Sequence, residues 1–262
     1  EFFKNNETKQ IIIFHSGNNL DEIKQLIGEE GDRIIFREVD KANTREFFRK
    51  QLLELVKSLA TSHSNGLLDL GEFTPPNAFD LILLGASTGG PEAVKQIIGQ
   101  LKTNMPPILI VLHMQPEFVE RYCERLKRIT PLNVIRFVEH QKISPNSIYI
   151  AAGSNHMEIS KTGSDYFLNK GNKSKINGHC PSVDVLFKSA AKIYDTKILA
   201  VLLTGMGSDG AEGLNLLKNS GAFTITQNEE TSEVYGMPKA AIEMGAAKRI
   251  LSLEQIIKIL SK

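Results

Sequence analysis

Three mainly apolar runs of six residues, each followed by a polar turn and an amphipathic helix, constrain the fold of this 262-residue chain most strongly. The runs are residues 79–84 (FDLILL), 107–112 (PILIVL) and 198–203 (ILAVLL). Continuous apolar strands that alternate with amphipathic helices are typical of a parallel sheet covered on both faces. The sequence therefore predicts an α/β fold with a doubly wound, mostly parallel sheet in three α/β/α layers.

Shorter runs of alternating polarity interrupt this pattern between the second and third apolar runs. Residues 147–151, 156–160 and 165–169 are joined by turns that contain glycine. Period-two alternation between turn signals indicates strands that are exposed on one face. The three runs therefore predict a small antiparallel β-hairpin inserted into the α/β domain.

The first 60 residues predict a smaller block with a βαβα pattern. Its strands and helices are expected, in chain order, at residues 10–14, 19–27, 33–36 and 45–59. Residues 61–77 carry Ser, Gly, Asn and a Pro-Pro pair, which is typical of a linker. We expect a regulatory-type segment at 1–60, a linker at 61–78 and the α/β domain at 79–262.

Charge and cysteine content exclude several classes of protein. With 31 basic and 30 acidic side chains the net charge is +1, which gives no global field for nucleic acid or anionic lipid. No apolar run reaches ~18 residues, so no membrane insertion is expected. The two cysteines, Cys123 and Cys180, form neither a disulfide framework nor a zinc spacing. A reducing cytoplasm is the expected location.

Residues 85–89 (GASTG) form a G-x-S-x-G sequence between the first apolar run and its helix. In that context the glycines permit a sharp turn that lifts the hydroxyl of Ser87 above the sheet. Unpaired N–H groups at the helix N-terminus bind an oxyanion, or equally a phosphate. The segment alone leaves a nucleophile, a phosphate loop and a plain turn as alternatives.

Two further candidate residues follow the other apolar runs. His113 follows the second run, and Asp209 lies in the turn after the third. Together with Ser87 they fall at the carboxyl ends of predicted parallel strands, the edge of an α/β sheet where ligands bind. Serine needs a neighbouring base, and that base is oriented by a carboxylate. The chain order Ser, His, Asp differs from that of the α/β-hydrolases.

Structural interpretations compete with each of these assignments. His113 is one of six histidines, and any of the others could serve instead. Asp209 could cap the following helix, and Ser182 is an expected N-cap before the helix that starts near residue 183. Only the coincidence of three strand ends favours a joint catalytic role.

Six motifs in matching order resemble the chemotaxis protein-glutamate methylesterases of the CheB type. They are GASTGGP at 85–91, His113-Met114 with Pro116 and Phe118, Ala152-Gly153 with His156-Met157, PSVD at 181–184, LTGMGSDG at 203–210 and YGMPKA at 235–240. The resemblance covers about residues 79–262. Ala152 stands where the family usually has Pro, and Cys180 where Arg commonly precedes PSVD.

The resemblance implies a serine triad of Ser87, His113 and Asp209, with Thr88 and Met206 lining the site as candidates for transition-state contacts. It implies demethylation of glutamate methyl esters on the cytoplasmic helices of chemoreceptors, with release of methanol, and in many members deamidation of receptor glutamines. No metal or other cofactor is implied.

In this family an N-terminal receiver of the response-regulator type usually covers the active site until it is phosphorylated. Residues 1–60 look like the C-terminal half of such a receiver, either truncated or degenerate, so no phosphorylation site is predicted. Two other hypotheses stay open: a catalytically silent module that binds receptor helices, and a nucleotide-phosphate binder. The second lacks both G-x-G-x-x-G and a P-loop lysine.

Overall fold

The computed structural model describes residues 11–15, 34–38 and 78–261, which fall in two compact units, Glu1–Gly71 and Glu72–Lys262. In the first unit, strands β1 (Ile11–His15) and β2 (Ile34–Glu38) pair in parallel. They confirm the two predicted strands with their starts displaced by one residue. The helices predicted at 19–27 and 45–59 and the linker at 61–77 lie outside the described residues.

The second unit contains ten strands and six helices within residues 78–261. The strands are β3 (Leu81–Ala86), β4 (Ile108–Leu112), β5 (Asn133–Arg136), β6 (Gln141–Lys142), β7 (Ser147–Ala151), β8 (Met157–Thr162), β9 (Asp165–Lys170), β10 (Ile198–Leu202), β11 (Phe223–Gln227) and β12 (Arg249–Leu251). The helices are α1 (Gly90–Ile98), α2 (Pro116–Lys127), α3 (Val183–Ala190), α4 (Ala211–Asn219), α5 (Met237–Glu243) and α6 (Leu253–Leu260). None of these helices is long and apolar enough to span a bilayer.

Seven of the strands form one parallel sheet in the order β12-β11-β10-β3-β4-β7-β5. Successive residues of a strand face opposite sides of a sheet, and all of β3, β4 and β10 is buried. On one side, Leu81 and Leu83 of β3 belong to a core that includes residues from α3, α4 and α5. Helix α1 contacts β3 and α6. The predicted doubly wound α/β architecture is confirmed.

The small antiparallel sheet differs from its predicted composition. Residues 147–151 were expected in the hairpin, but they form β7, which lies between β4 and β5 in the parallel sheet. All five of its residues are buried, so the strand has no exposed face. The hairpin itself consists of β8 and β9, with β6 paired to the other side of β9. Strand β8 packs against α3.

The strand order creates a switch point at the centre of the sheet. From β3 the chain builds outward to β4 and then β5, it inserts β7 between these two strands, and it later returns to place β10 on the other side of β3. Connections that leave adjacent strands in opposite directions open a crevice at their carboxyl ends. Strands β10, β3 and β4 are therefore neighbours whose carboxyl ends border this crevice.

Candidate active site

The three predicted catalytic residues follow the three central strands. Ser87 comes directly after β3, His113 directly after β4, and Asp209 lies in the turn between β10 and α4. The register pairs Ala86 with Leu112, and the backbone N–H of His113 donates to the carbonyl of Ala86. The fold thus brings three residues that are 26 and 96 positions apart in sequence to one edge of the sheet.

A hydrogen bond joins the imidazole of His113 to the carboxylate of Asp209. Its length is 2.8 Å between Nε2 and Oδ2, and both side chains are more than nine-tenths buried. Because a carboxylate only accepts, Nε2 carries the proton, and Nδ1 of the neutral ring holds the lone pair. Nδ1 is buried, and within the described residues it has no hydrogen-bond partner.

Asp209 accepts hydrogen bonds from five donors. Oδ1 accepts from the Ser182 hydroxyl at 2.6 Å, the Asn177 amide at 3.2 Å and the backbone N–H of Asp184 at 3.3 Å. Oδ2 accepts from His113 and from the backbone N–H of Val183 at 2.7 Å. The two backbone donors belong to the first turn of α3, where N–H groups lack partners within the helix. The carboxylate therefore sits at the positive end of a helix dipole.

These contacts lower the pKa of Asp209. Burial by itself raises the pKa, but the hydrogen bonds from His113, Ser182 and Val183 outweigh it and bring the value to about 2. The neighbouring Asp184 shows the opposite direction, because burial raises its pKa more than its hydrogen bonds lower it. Asp209 is thus an anion at neutral pH, as a partner for an imidazolium must be.

The capping interpretation is wrong for Asp209, and for Ser182 it holds in position but not in hydrogen bonding. Helix α4 has Gly210 rather than Asp209 at its N-cap, and Asp209 is 1% exposed. Ser182 does stand at the N-cap of α3, but its hydroxyl makes no capping bond and donates to Asp209 instead. The carboxylate of Asp209 takes the place of a local cap on α3. It accepts hydrogen bonds from the first N–H groups of that helix and also from the Ser182 hydroxyl.

Ser87 is placed by close backbone packing. Its N–H donates to the carbonyl of Thr204 at 3.0 Å, and the residue is 9% exposed. A Cβ added at Gly205 would lie 2.7 Å from the Cβ of Ser87 and would also collide with Met237. Only glycine at position 205 allows this approach. No hydrogen bond joins the Ser87 hydroxyl to His113 among the described residues.

Thr88 and Met206 flank this serine on two different loops. The carbonyl of Thr88 accepts from the Thr204 hydroxyl at 2.9 Å, which fixes the turn after β3. Met206 follows Gly205, and its side chain is 72% exposed. Within the described residues neither the N–H of Thr88 nor that of Met206 donates a hydrogen bond. Both groups are available as donors to a ligand.

The site also contains residues that the sequence did not reveal as functional. Ser182 and Asn177 bind Asp209, and the ring of His179 stacks on His113. One sequence signal was available for the last two: Asn177-Gly178 is a preferred pair for a tight hairpin turn. Such a turn fixes the direction of the side chains on either side of it.

The pKa of Asp209 makes stability depend on pH. A carboxyl whose pKa is about 2 when folded, against an ordinary 3.8, contributes stability above about pH 4 and loses it as the pH falls toward 2. We expect this contribution to the free energy of unfolding to be on the order of 2 kcal/mol. Urea unfolding of the wild type and of Asp209→Asn at several pH values between about 5 and 2 measures it.

The two unfolding profiles should converge toward pH 2, because the variant has no carboxyl to protonate at this position. A gap that stays constant over this pH range would contradict the assignment of the low pKa to Asp209.

Fold and site together define a doubly wound α/β protein that carries a serine, a histidine and an aspartate at its ligand-binding edge. The family model described as CheB methylesterase matches residues 82–260. The chain therefore belongs to the CheB methylesterase family, which confirms the resemblance seen in its motifs.

Two named relatives are 43% and 40% identical to this chain. It is 43% identical over 176 residues to protein-glutamate methylesterase/protein-glutamine glutaminase 2 of Pseudomonas aeruginosa, covering 67% of this chain and 50% of that protein. It is 40% identical over 176 residues to the corresponding enzyme of Escherichia coli, with the same coverage. The chain thus spans about half the length of the curated relatives that it matches.

The crystal structure of the Thermotoga maritima CheB methylesterase catalytic domain has the same fold. It superimposes with a TM-score of 0.67 at 36% identity and covers 70% of this chain and 97% of that one.

Proposed function

We propose that this chain is a serine hydrolase that removes methyl esters from glutamate residues of chemoreceptors, with Ser87, His113 and Asp209 as its catalytic triad. The observation that supports it most is the buried bond between His113 and Asp209 at the strand end next to Ser87. The relatives named protein-glutamate methylesterase support the choice of substrate.

The orientation of His113 assigns a role to each ring nitrogen. Since Nε2 donates to Asp209, Nδ1 is the nitrogen that takes the proton from the Ser87 hydroxyl. The serine oxygen then bonds to the ester carbonyl carbon, and the carbonyl oxygen becomes an oxyanion. In the chymotrypsin arrangement the two nitrogens have the opposite roles. We therefore propose that the nucleophile approaches the Nδ1 side of the ring.

The intermediate then collapses in two proton-balanced stages. The bond to methoxide breaks, His113 returns its proton to that oxygen, and methanol leaves an acyl-enzyme on Ser87. Water next loses a proton to Nδ1 and attacks the acyl carbon. The proton passes to the Ser87 oxygen as the glutamate carboxyl is released. The imidazolium formed in each stage faces the Asp209 anion.

Backbone N–H groups are proposed to stabilise the oxyanion. Those of Thr88 and Met206 have no acceptor among the described residues, and both lie in loops that border Ser87. A donor of this kind typically contributes ~3 kcal/mol to transition-state stabilisation. These side chains and backbone groups carry out the whole sequence of steps.

The same steps extend the proposal to a second reaction. Several relatives are also named protein-glutamine glutaminase, and an amide can follow the same steps with ammonia as the leaving group. We propose receptor glutamines as additional substrates. Neither a catalytically silent receptor-binding role nor phosphate binding is favoured by any feature of the site.

The remaining assignments extend this proposal to the whole chain. We propose residues 79–262 as the catalytic domain, 61–78 as a linker and 1–60 as a partial or degenerate receiver-like regulatory segment. Regulation by a receiver is part of the proposal, as are a cytoplasmic location and chemoreceptor cytoplasmic helices as the partner. The methylesterase family and the named relatives support the choice of partner.

Methanol release from receptor membranes that carry methylated glutamates tests the proposal. We expect the wild-type chain to release methanol and to leave a free carboxyl at the same glutamate, which mass spectrometry of receptor peptides detects. Receptor kept unmethylated is the matched control and should yield no methanol. Stoichiometric receptor binding without methanol release would instead support the silent signalling module.

A further inference from the structure

A second imidazole covers one face of His113. The rings of His113 and His179 are stacked, with centroids 3.7 Å apart and planes inclined by 8°. His179 is partly exposed, whereas the side chain of His113 is 8% exposed. The triad as described gives His179 no role.

A tight turn places His179 on that face. Asn177 and Gly178 have φ values of 54° and 81°, and Ile176 and His179 exchange two backbone hydrogen bonds of 2.9 Å. Positive φ at both central residues of a two-residue loop is the type I′ hairpin turn, for which Asn-Gly is a preferred sequence. The direction of His179 is therefore set by the local backbone.

Two hydrogen bonds of the Asn177 side chain hold this turn against the rest of the domain. The side-chain amide of Asn177 donates to Asp184 at 2.9 Å and to Asp209 at 3.2 Å. The turn is thus attached to the same carboxylate that orients His113.

His156 anchors the segment on either side of the turn. Its Nε2 donates to the carbonyl of Ser174 at 2.9 Å, and its Nδ1 accepts from the N–H of Ser182 at 3.0 Å. The histidine is 1% exposed, and both of its ring nitrogens are bonded. We call residues 174–182 the His179 segment. Its two ends are held by one buried side chain, so the backbone that carries His179 cannot move away from His113 without breaking these bonds.

From this arrangement we infer that His179 is a positioning residue: its ring keeps the imidazole of His113 in the plane that aims Nδ1 at Ser87. The inference rests on the proposed function, because a general base at His113 is what the stack would serve. Asp209 fixes one atom of the ring, and a flat surface against one face restricts rotation about that contact.

Electrostatics favour a neutral ring at position 179. Burial lowers the pKa of His179, and the nearby His113 lowers it further, since two stacked imidazolium rings repel each other. The negative charge of Asp209 raises the pKa of His179, and the positive charge of Lys175 lowers it. The proton acquired during the reaction belongs on His113, which is bonded to Asp209. A neutral aromatic face then lies against the new cation, an attractive arrangement.

Two substitutions at position 179 separate positioning from mere structure. We expect His179→Ala to lower kcat for methanol release ~10-fold or more, with KM within about twofold of the wild type, since the loss falls on the proton-transfer step. His179→Phe retains a flat ring and should recover most of the lost kcat. His140→Asn is the matched control, because His140 is a largely exposed histidine at φ 55°, where asparagine fits.

A second readout does not depend on the receptor. The rate at which an organophosphorus fluoride labels Ser87 reports the activated serine alone, and it should fall in His179→Ala and recover in His179→Phe. Thermal unfolding of each variant monitors the fold. If the wild type is labelled but releases no methanol, the proposed substrate is wrong, and labelling still tests His179.

Three results would overturn the inference. They are kcat and labelling in His179→Ala equal to those of the wild type, a phenylalanine variant as slow as the alanine variant, and a loss of rate that merely follows a loss of folded protein.

Discussion

Replacing Ser87 by alanine is expected to reduce methanol release at least about a thousandfold, because it removes the hydroxyl proposed to form the acyl-enzyme. The hydroxyl makes no hydrogen bond within the described residues, so its removal should leave the unfolding temperature almost unchanged. Methanol release measured with saturating methylated receptor, together with thermal unfolding, tests both expectations.

Ser220→Ala provides the matched control for this substitution. Ser220 follows α4 at its C-terminal end, and its hydroxyl donates only to the carbonyl of Leu217. It should retain the wild-type rate. A rate for Ser87→Ala within about tenfold of the wild type would refute a serine nucleophile.

The second large effect is expected for Asp209→Asn. In related triads an amide at this position leaves the fold intact but costs about 10⁴-fold in kcat, because the imidazole loses its required tautomer. In this protein we expect Asp209→Asn to lower the free energy of unfolding as well. One amide oxygen cannot accept from the five donors that surround Asp209, and its NH₂ group would face some of them. Methanol release and urea unfolding measure the two losses separately.

Asp195→Asn controls for the change from carboxylate to amide. Asp195 is exposed and has φ 52°, a conformation that asparagine accepts readily. We expect neither measurement to change. If Asp209→Asn kept full activity while losing stability, Asp209 would be a structural residue and the triad assignment would fail.

The sequence predicted the catalytic edge because parallel strands share a direction. A residue that follows a buried strand must emerge at the carboxyl edge, whatever the order of the strands. Ser87, His113 and Asp209 could therefore be grouped from local patterns alone. Their catalytic roles remain a prediction.

Strand pairing was harder to predict, since it depends on distant partners. Residues 147–151 (SIYIA) alternate in polarity like a hairpin strand, yet both faces of β7 are covered once β4 and β5 flank it. The short edge strands β5 and β12 have mostly exposed or half-buried residues and gave no signal of their own. Local periodicity reports the exposure of a strand only when its neighbours are known.

The supporting residues of the site were missed for a similar reason. A serine before a helix is usually a cap, and nothing local shows that the Ser182 hydroxyl meets a carboxylate 27 residues later. Asn177 and His179 depend on the same long-range approach. The Asn-Gly pair predicts that the chain turns there, but not what the turn faces.

The carboxylate of Asp209 is a junction of three elements, of which the end of β4 is remote in sequence from the other two, which adjoin each other. The end of β4 reaches it through His113, the His179 segment through Asn177, and the start of α3 through Val183 and Asp184. If any one of these elements separates from Asp209, the other two are less restrained and the carboxylate loses hydrogen-bond donors. The proposed activity and the local stability of this region are consequently coupled, and a partial opening should abolish the activity before the domain unfolds.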